Sequence, residues 1–496
     1  MSKASVGFNK SVPLGVGITY SSAILPLLDR RPELFDVLEI EPQTTWVKSY
    51  RGGEYFVKHE TIDHLLGLPG RKLIHSVGTP VGGSVRPEPA QLALLRDAVE
   101  RFKSPWVSDH LSFNQTPEFA TGFFLPPRQT LRGVETVTVA IRDLKHALQV
   151  PIAVETGVNY LKPRRDELRD GEFVRRVVEE ADCGLLLDLH NVFTNALNGR
   201  QPLDEFLDEI PLERVWEVHL AGGMELDGFW LDAHSGAIPD ALYEVVKHVI
   251  SGLPNLGAII FEIFPSFVPV VGLELVEEQI RRLHTLWASR SAVALPRTKS
   301  ILAPEIRESG RDSLIPEAWE RALGALVTGQ SPQSEIPEEL RQDRGIGIIS
   351  SLIFEFRASM VVGTLRLTSR LLMLALGAKV FRTILVDYCR KIPPQSYGSR
   401  EAEAFGHYLQ SINLQVPHLM KILEFEEATL ATLADDQPRI VKFDVEPLPL
   451  LRALAEGRLP NEAGQSGDFE IELTGDGAPR IAGADLETAT ASFPFH

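Results

Sequence analysis

Cysteine is almost missing from this chain: Cys183 and Cys389 are all that 496 residues contain. Two thiols in different halves of a chain build neither a disulfide framework nor a CxxC metal or redox pair, so a reducing, cytoplasmic setting is expected. Positive charge is also short. Against 67 Asp and Glu stand 50 Lys and Arg, a net charge of −17. Without a basic face to release counterions, no nucleic acid is expected as a partner. Long apolar runs are the third lack. Met1 to Pro13 holds no apolar signal core, and the most apolar stretch, Ile346 to Val386, is broken by Glu355, Arg357, Arg366, Arg370, Lys379 and Arg382. No export and no membrane partner follows from such a pattern. Neither a solenoid-period repeat nor a low-complexity tail is present.

What is present is a globular composition, 44% hydrophobic and 24% charged, in a length with room for one large barrel and one further domain. From Leu14 to about Arg290, short β-branched runs alternate with helical patterns. The runs predict strands at Gly15–Thr19, Val37–Glu41, Lys72–Ser76, Trp106–Asp109, Ile152–Glu155, Gly184–Asp188, Val215–His219 and Ala258–Ile263. Between them, helices are expected at Glu88–Phe102, Gln129–Leu148, Asp170–Ala181, Pro239–Ser251 and Leu273–Ser289. Eight βα units of this size predict a (β/α)8 TIM barrel over residues 1–292. A doubly wound open sheet is the other candidate, but no glycine-rich phosphate loop follows the first strand. The pattern lapses at SRSAVALPRTKSILAPE. Beyond it, residues 305–496 read as a mainly helical α+β domain. Its helices are expected at Pro316–Thr328, Ile348–Leu376, Lys379–Lys391, Ser399–Ser411 and Pro417–Leu433, and its strands at Arg439–Val445, Phe469–Thr474 and Arg480–Ala482, with an exposed NEAGQSGD segment before the second strand.

Ten of the thirteen histidines precede residue 300. His75 ends the third predicted strand, His110 follows the fourth and His219 ends the seventh, while Glu155, Asp188 and Glu262 end the fifth, sixth and eighth. In a TIM barrel these ends share one rim, where active sites are built. Asn191 in DLHN, and Asp232 with His234 in DAH, extend the set. Carboxylates gathered without a metal repel one another, whereas di- or trivalent ions turn that repulsion into ligation. Imidazole and carboxylate without thiolate suit Fe, Mn, Co or Zn, and bridging carboxylates allow ions roughly 3.5–4 Å apart. Glu39, Glu41 and His190 are candidates for orienting the ligands. His59, His64, His146, His248 and His284 fall in helical patterns and read as surface or packing residues.

These segments make the chain recognisable. GVGITYS, DVLEIEP, LIHSVGTPVGG, WVSDHLSF, PIAVETGVNYL, GLLLDLHNVFTNALN, EVHLAGG, LDAHSGAIP and FEIF resemble the multinuclear non-heme iron-dependent oxidative enzymes, domain-of-unknown-function family 692, which includes the methanobactin-biosynthesis oxidases. The resemblance covers about Leu14 to Leu286. It implies a TIM barrel with two or three irons, mixed-valent Fe(II)/Fe(III), using dioxygen to modify residues, often cysteines, of a ribosomally made precursor peptide. Carried over by position, His75, His110 and Glu155 correspond to the ligands of one iron. Asp188, His219 and Glu262 correspond to those of a second, bridged by Glu155, and Asn191, Asp232 and His234 to a third site. The chain departs from the family where Thr156 follows Glu155, where HLAGH ends in Gly223, and where EIFP lacks an acidic residue. The C-terminal domain is similar to the leader-capturing partner proteins of these oxidases, in SSLIFEFRASMVVGTLRLTSRLLMLALG, VFRTILVDYCRKIPPQS, FGHYLQS and PHLMKILEFEEA. A fused partner would make a separate one unnecessary. Without the resemblance, the rim also suits a metal-dependent hydrolase or isomerase of the sugar isomerase or endonuclease IV type, or a non-catalytic metal or peptide binder.

Overall fold

A computed structural model of the chain describes residues 11–48, 55–57, 59–290, 314–331, 336–460, 466–474 and 480–481. Eight parallel strands close into a barrel: Gly15–Thr19, Val37–Ile40, Arg71–Ser76, Val107–His110, Ile152–Glu155, Gly184–Asp188, Val215–Ala221 and Ala258–Glu262. Neighbours in the barrel are neighbours in sequence, and the eighth pairs with the first, Gly15 opposite Ala258. The barrel itself therefore has no unpaired edge. Strand four begins one residue later than its apolar run implied, because the Trp106 indole turns into the barrel floor. There it meets Trp216 edge to face at 6.2 Å, among Val37, Leu73, Ala153, Leu186, Ala258 and Ile260. The floor is solid, so only the opposite end can open.

The helices lie outside the strands, and their ends follow local chemistry. Glu88 and Gln91 form a capping box at Pro89–Phe102, and the Thr130 hydroxyl accepts from Gly133 N–H to start Leu131–Leu148. The expected surface or packing histidines all lie on helices. Two of them make long-range bonds, His284 from Nε2 to the Leu34 carbonyl at 2.9 Å and His59 at Nδ1 with the Arg101 guanidinium at 3.5 Å.

The chain segment expected to separate the two domains lies mostly outside the described residues. Past it, Val361 to Leu473 supply a core of their own, including Tyr388, Phe405, Phe425 and Phe443. The single helix expected over Ile348–Leu376 is two, Arg344–Thr364 and Arg366–Leu376. The break at Leu365 has a physical cause in a distant residue. The buried Glu426 carboxylate, on helix Leu419–Asp435, accepts from Leu367 N–H at 2.7 Å and Thr368 N–H at 2.8 Å, satisfying the first turn of the second helix. Helix Pro447–Ala455, absent from the sequence reading, follows the strand Arg439–Val445. That strand pairs antiparallel with Ser466–Leu473, which pairs in turn with Arg480–Ile481. Part of NEAGQSGD is thus strand.

Residues 314–331 and 336–353 pack on the barrel rather than on that core. Trp319, Ala322, Leu323, Val327, Leu340, Ile348 and Ile353 share an apolar cluster with Phe113, Leu125, Tyr160, Leu161 and Leu231, which belong to loops after strands four, five and seven. Trp319 is 2% exposed and donates its indole N–H to the Pro126 carbonyl at 3.0 Å. The Arg128 and Arg164 guanidiniums lie over its ring at 5.1 and 4.9 Å. Arg344–Thr364 is long and apolar enough to cross a membrane by composition. Here Ile348, Ile349 and Ile353 are buried in that cluster, and Arg357 is buried in an ion pair with Glu401 at 2.6 Å.

Candidate metal centre

Parallel register brings the strand-end residues together. His110 stands opposite Glu155, Asp188 opposite His219 and Ala221 opposite Glu262. Of three groups of ligand atoms lying within 4.8 Å among the described residues, one is Glu39, Glu217 and His219, and two gather the expected ligands: His75, His110 and Glu155, and then Glu155, Asp188, His219 and Glu262. Glu155 belongs to both. Its Oε2 lies 3.4 Å from His75 Nε2 and 3.2 Å from His110 Nε2. In the second group, His219 Nδ1 lies 3.2 Å from Glu262 Oε2.

Each side chain is held from behind. His75 Nδ1 bonds Ser108 Oγ at 3.0 Å, and His110 Nδ1 bonds the Ser76 carbonyl at 3.2 Å, so both rings turn Nε2 toward Glu155. Asp188 is the N-cap of helix Leu189–Leu197, accepting from Asn191 N–H at 2.8 Å. The DLHN spacing is that of a cap, which uses Asp188 Oδ1 and leaves Oδ2 to the cavity. His219 turns Nε2 away, toward Glu39 Oε1 at 3.0 Å and Glu217 Oε1 at 3.6 Å.

The third expected group is only partly gathered. His234 Nε2 lies 2.9 Å from Asp232 Oδ1 and 3.6 Å from Glu262 Oε2, beside the second group. Asn191 turns elsewhere, donating from Nδ2 to Glu155 Oε1 at 3.4 Å and the Thr156 carbonyl at 3.1 Å. His190 is buried with both nitrogens engaged, Nδ1 with Asp232 Oδ1 at 3.0 Å and Nε2 with Trp230 Nε1–H at 3.5 Å. It orients Asp232.

The cavity fits a cation. Asp188 Oδ2 and Asn191 Oδ1 are buried and make no hydrogen bond, beside the ion-pair contacts of Glu155, His219 and His234. Buried polar atoms without partners are costly, and here they belong to one donor set of imidazole, carboxylate and amide oxygen. Charge is balanced by protons instead. Burial opposes charge on His110, yet Glu155 and Asp109 push its pKa up to about 9. Against the same burial, Asp232 and Glu262 push His234 up to about 10. Burial raises Asp188 well above the usual carboxylate range, and neighbouring Asp232, Glu262 and Glu155 add to it. Glu41, at the edge of the group, is pushed up to about 7 by burial and by Glu262.

Four contacts escaped the sequence reading. Glu217 was legible: two residues before His219 on one strand, it points to the same side. The aromatic neighbours were not. Phe124 stacks on His110 at 4.0 Å and Phe264 on His234 at 4.7 Å. The indole of Trp230 occupies the place of a side chain at Gly223, where a Cβ would stand 2.3 Å from its Nε1.

The family model of RiPP precursor modification enzymes MbnB/TglH/ChrH, enzymes of ribosomally synthesised and post-translationally modified peptides, matches residues 15–274. The chain belongs to that family. Its members of known sequence include a UPF0276 protein of Chromobacterium violaceum, 30% identical over 226 residues, 45% of this chain and 80% of that one. A UPF0276 protein of Streptomyces avermitilis is 30% identical over 240 residues, 46% of this chain and 49% of that protein, so the match spans about half the relative's length. Among solved structures, the Escherichia coli 3-keto-D-glucoside 4-epimerase is similar at a TM-score of 0.33 and 14% identity, over 55% of this chain and 98% of that one.

Proposed function

We propose that this family member is a dioxygen-dependent enzyme that binds two to three irons at the barrel rim and oxidises cysteine in a ribosomally made precursor peptide. The observation that carries it is the carboxylate of Glu155 shared by two ligand groups. His75 and His110 would hold one iron and Asp188, His219 and Glu262 another, with Glu155 between. Asp232 and His234, beside Glu262, would hold a third, with Asn191 completing its ligands. When bound, mixed-valent iron would supply open positions for a thiolate and for dioxygen, the oxidant that takes up the electrons cysteine loses.

The chain's own residues bind and orient. Ser108, Ser76, Glu39 and His190 fix which nitrogen or oxygen of each ligand faces the cavity. The Phe124 and Phe264 rings keep water from one face of His110 and of His234.

The C-terminal region would bind the precursor's leader. Among the described residues, strand Arg439–Val445 pairs along one edge only, and its Ile440 is 60% exposed. An extended leader can add there as a further strand. The test is mass spectrometry of precursor incubated with iron-loaded protein, reductant and air, beside a precursor with every cysteine changed to serine. A mass loss or gain confined to the cysteine-bearing peptide is expected. Unchanged modification of the serine peptide refutes the cysteine assignment. Full activity with stoichiometric zinc and no iron refutes the oxidase.

A further inference from the structure

The fusion of barrel and C-terminal region has a consequence at one metal ligand. After strand four the chain forms a hairpin, Phe113–Gln115 with Ala120–Leu125. Phe124, on its return strand, lies nearly parallel to the His110 imidazole, centroids 4.0 Å apart and planes 19° apart. The other side of the hairpin is covered by the C-terminal region. Gly122 sits at φ +70°, and a Cβ there would stand 2.7 Å from Pro394 Cβ and 3.8 Å from Arg357 Cγ. Gly324 abuts Thr116 in the same way, its added Cβ standing 2.7 Å from Thr116 Cγ2. Arg321 pairs with Glu118 at 2.8 Å.

The surface under Gly122 is itself rigid. Arg357 donates from Nε to Glu401 Oε1 at 2.6 Å and from its terminal nitrogens to the carbonyls of Cys389 at 3.1 Å and Pro393 at 3.4 Å. Glu401 Oε2 accepts from Gln395 N–H at 2.8 Å, and Tyr388 donates to Glu401 Oε1 at 2.9 Å. Residues 393–395 are thereby tied down on both sides of Pro394. Packed interiors transmit such contacts rather than absorb them.

We infer that Phe124 is a positioning residue for His110, set in place by the Pro394 surface of the C-terminal region through its contact at Gly122. The inference rests on the reading of His110 as a ligand. Ser76 and Glu155 hold the His110 ring only at its two nitrogens, Nδ1 and Nε2, so the tilt of the ring plane remains open. The Phe124 face closes it, and the docked C-terminal region holds Phe124. Metal binding at His75, His110 and Glu155 therefore depends on residues that touch no ligand.

The experiment is titration of the full metal-free chain with Co(II), reading stoichiometry, affinity and the visible d–d bands. Phe124→Leu should weaken one Co(II) equivalent about 10-fold and shift its bands, as lost outer contacts do elsewhere. Phe124→Tyr, which keeps the ring, should restore both. Pro394→Gly, which removes the surface under Gly122 and leaves the Gly122 backbone as it is, should shift the bands toward those of Phe124→Leu. Wild-type affinity and bands in Phe124→Leu refute the positioning role. A wild-type spectrum in Pro394→Gly refutes the link to the C-terminal region. His110→Ala separates the two levels: loss of the equivalent there, with Phe124→Leu silent, sinks this inference alone, whereas a silent His110→Ala sinks the ligand reading beneath it.

Discussion

Glu217→Gln should move metal affinity and apo stability in opposite directions. The Glu217 carboxylate is fully buried, accepts from the Trp106 indole at 3.0 Å and lies 3.6 Å from His219 Nε2. Glu39 lies on the same nitrogen at 3.0 Å, and the charge of Glu217 adds to the burial that raises Glu39 well above the carboxylate range. The amide keeps the shape and relieves that repulsion. Removing a like charge from beside a buried carboxylate can gain about 1 kcal/mol in the metal-free protein, the worth of roughly one pKa unit. The same exchange makes the His219 imidazole a poorer ligand at Nδ1. Carboxylates that back a metal-bound imidazole are worth about 10–100-fold in affinity, or roughly 1.4–2.7 kcal/mol at 1.36 kcal/mol per decade. The assay pairs urea denaturation of metal-free protein with Fe(II) or Co(II) titration under nitrogen. A variant that loses apo stability while binding metal as tightly as wild type refutes the reasoning, since Glu217 would then be only a packing residue for Trp106.

Because the His110 and His234 pKa values lie near 9 and 10, both rings carry protons at pH 8 in the metal-free protein. Ligation requires neutral imidazole, so calorimetry in buffers of different ionisation enthalpy should show proton release on Co(II) binding, and apparent affinity should fall about tenfold per displaced proton for each pH unit below 8. Trp319→Ala should cost about 3–5 kcal/mol in urea denaturation, as truncation of a buried Trp does. Cutting the chain near Arg297 should bare the Phe113, Leu125, Tyr160 and Leu231 surface and leave a barrel that self-associates in sedimentation. Burial pushes Glu320, which accepts from Ser84 N–H at 2.8 Å, from its ordinary 4.5 up to about 7. A raised carboxyl pKa makes folding less favourable as pH rises between those values, with the loss complete above 7. Glu320→Gln should flatten that part of the melting-temperature profile, and an unchanged slope would contradict the assignment.

Much of the rim was readable residue by residue. Strands of four to seven residues that carry His75, Glu155, Asp188, His219 and Glu262 at or near their C-terminal ends announce themselves because β-branched runs alternate with helical periods, and a closed parallel barrel leaves only one end for them to share. Helix ends were legible for the same local reason at Asp170–Ala181, whereas the helix that Asp188 caps, Leu189–Leu197, was not among those expected. The His190 geometry was not, since its two partners come from the loop after strand seven, 42 and 40 residues away.

The sequence by itself thus determined the barrel, its rim and the identity of the candidate ligands, because strand period, turn chemistry and capping act over a few residues. Tertiary structure decided which nitrogen of each histidine faces the cavity, where the helix at Leu365 breaks, and that Phe124 lies on His110 under the weight of Pro394. Those outcomes depend on contacts between residues far apart in the chain, such as Glu426 with Leu367 and Gly122 with Pro394. Nothing in the local pattern of either partner encodes the other, and only close packing brings them to account.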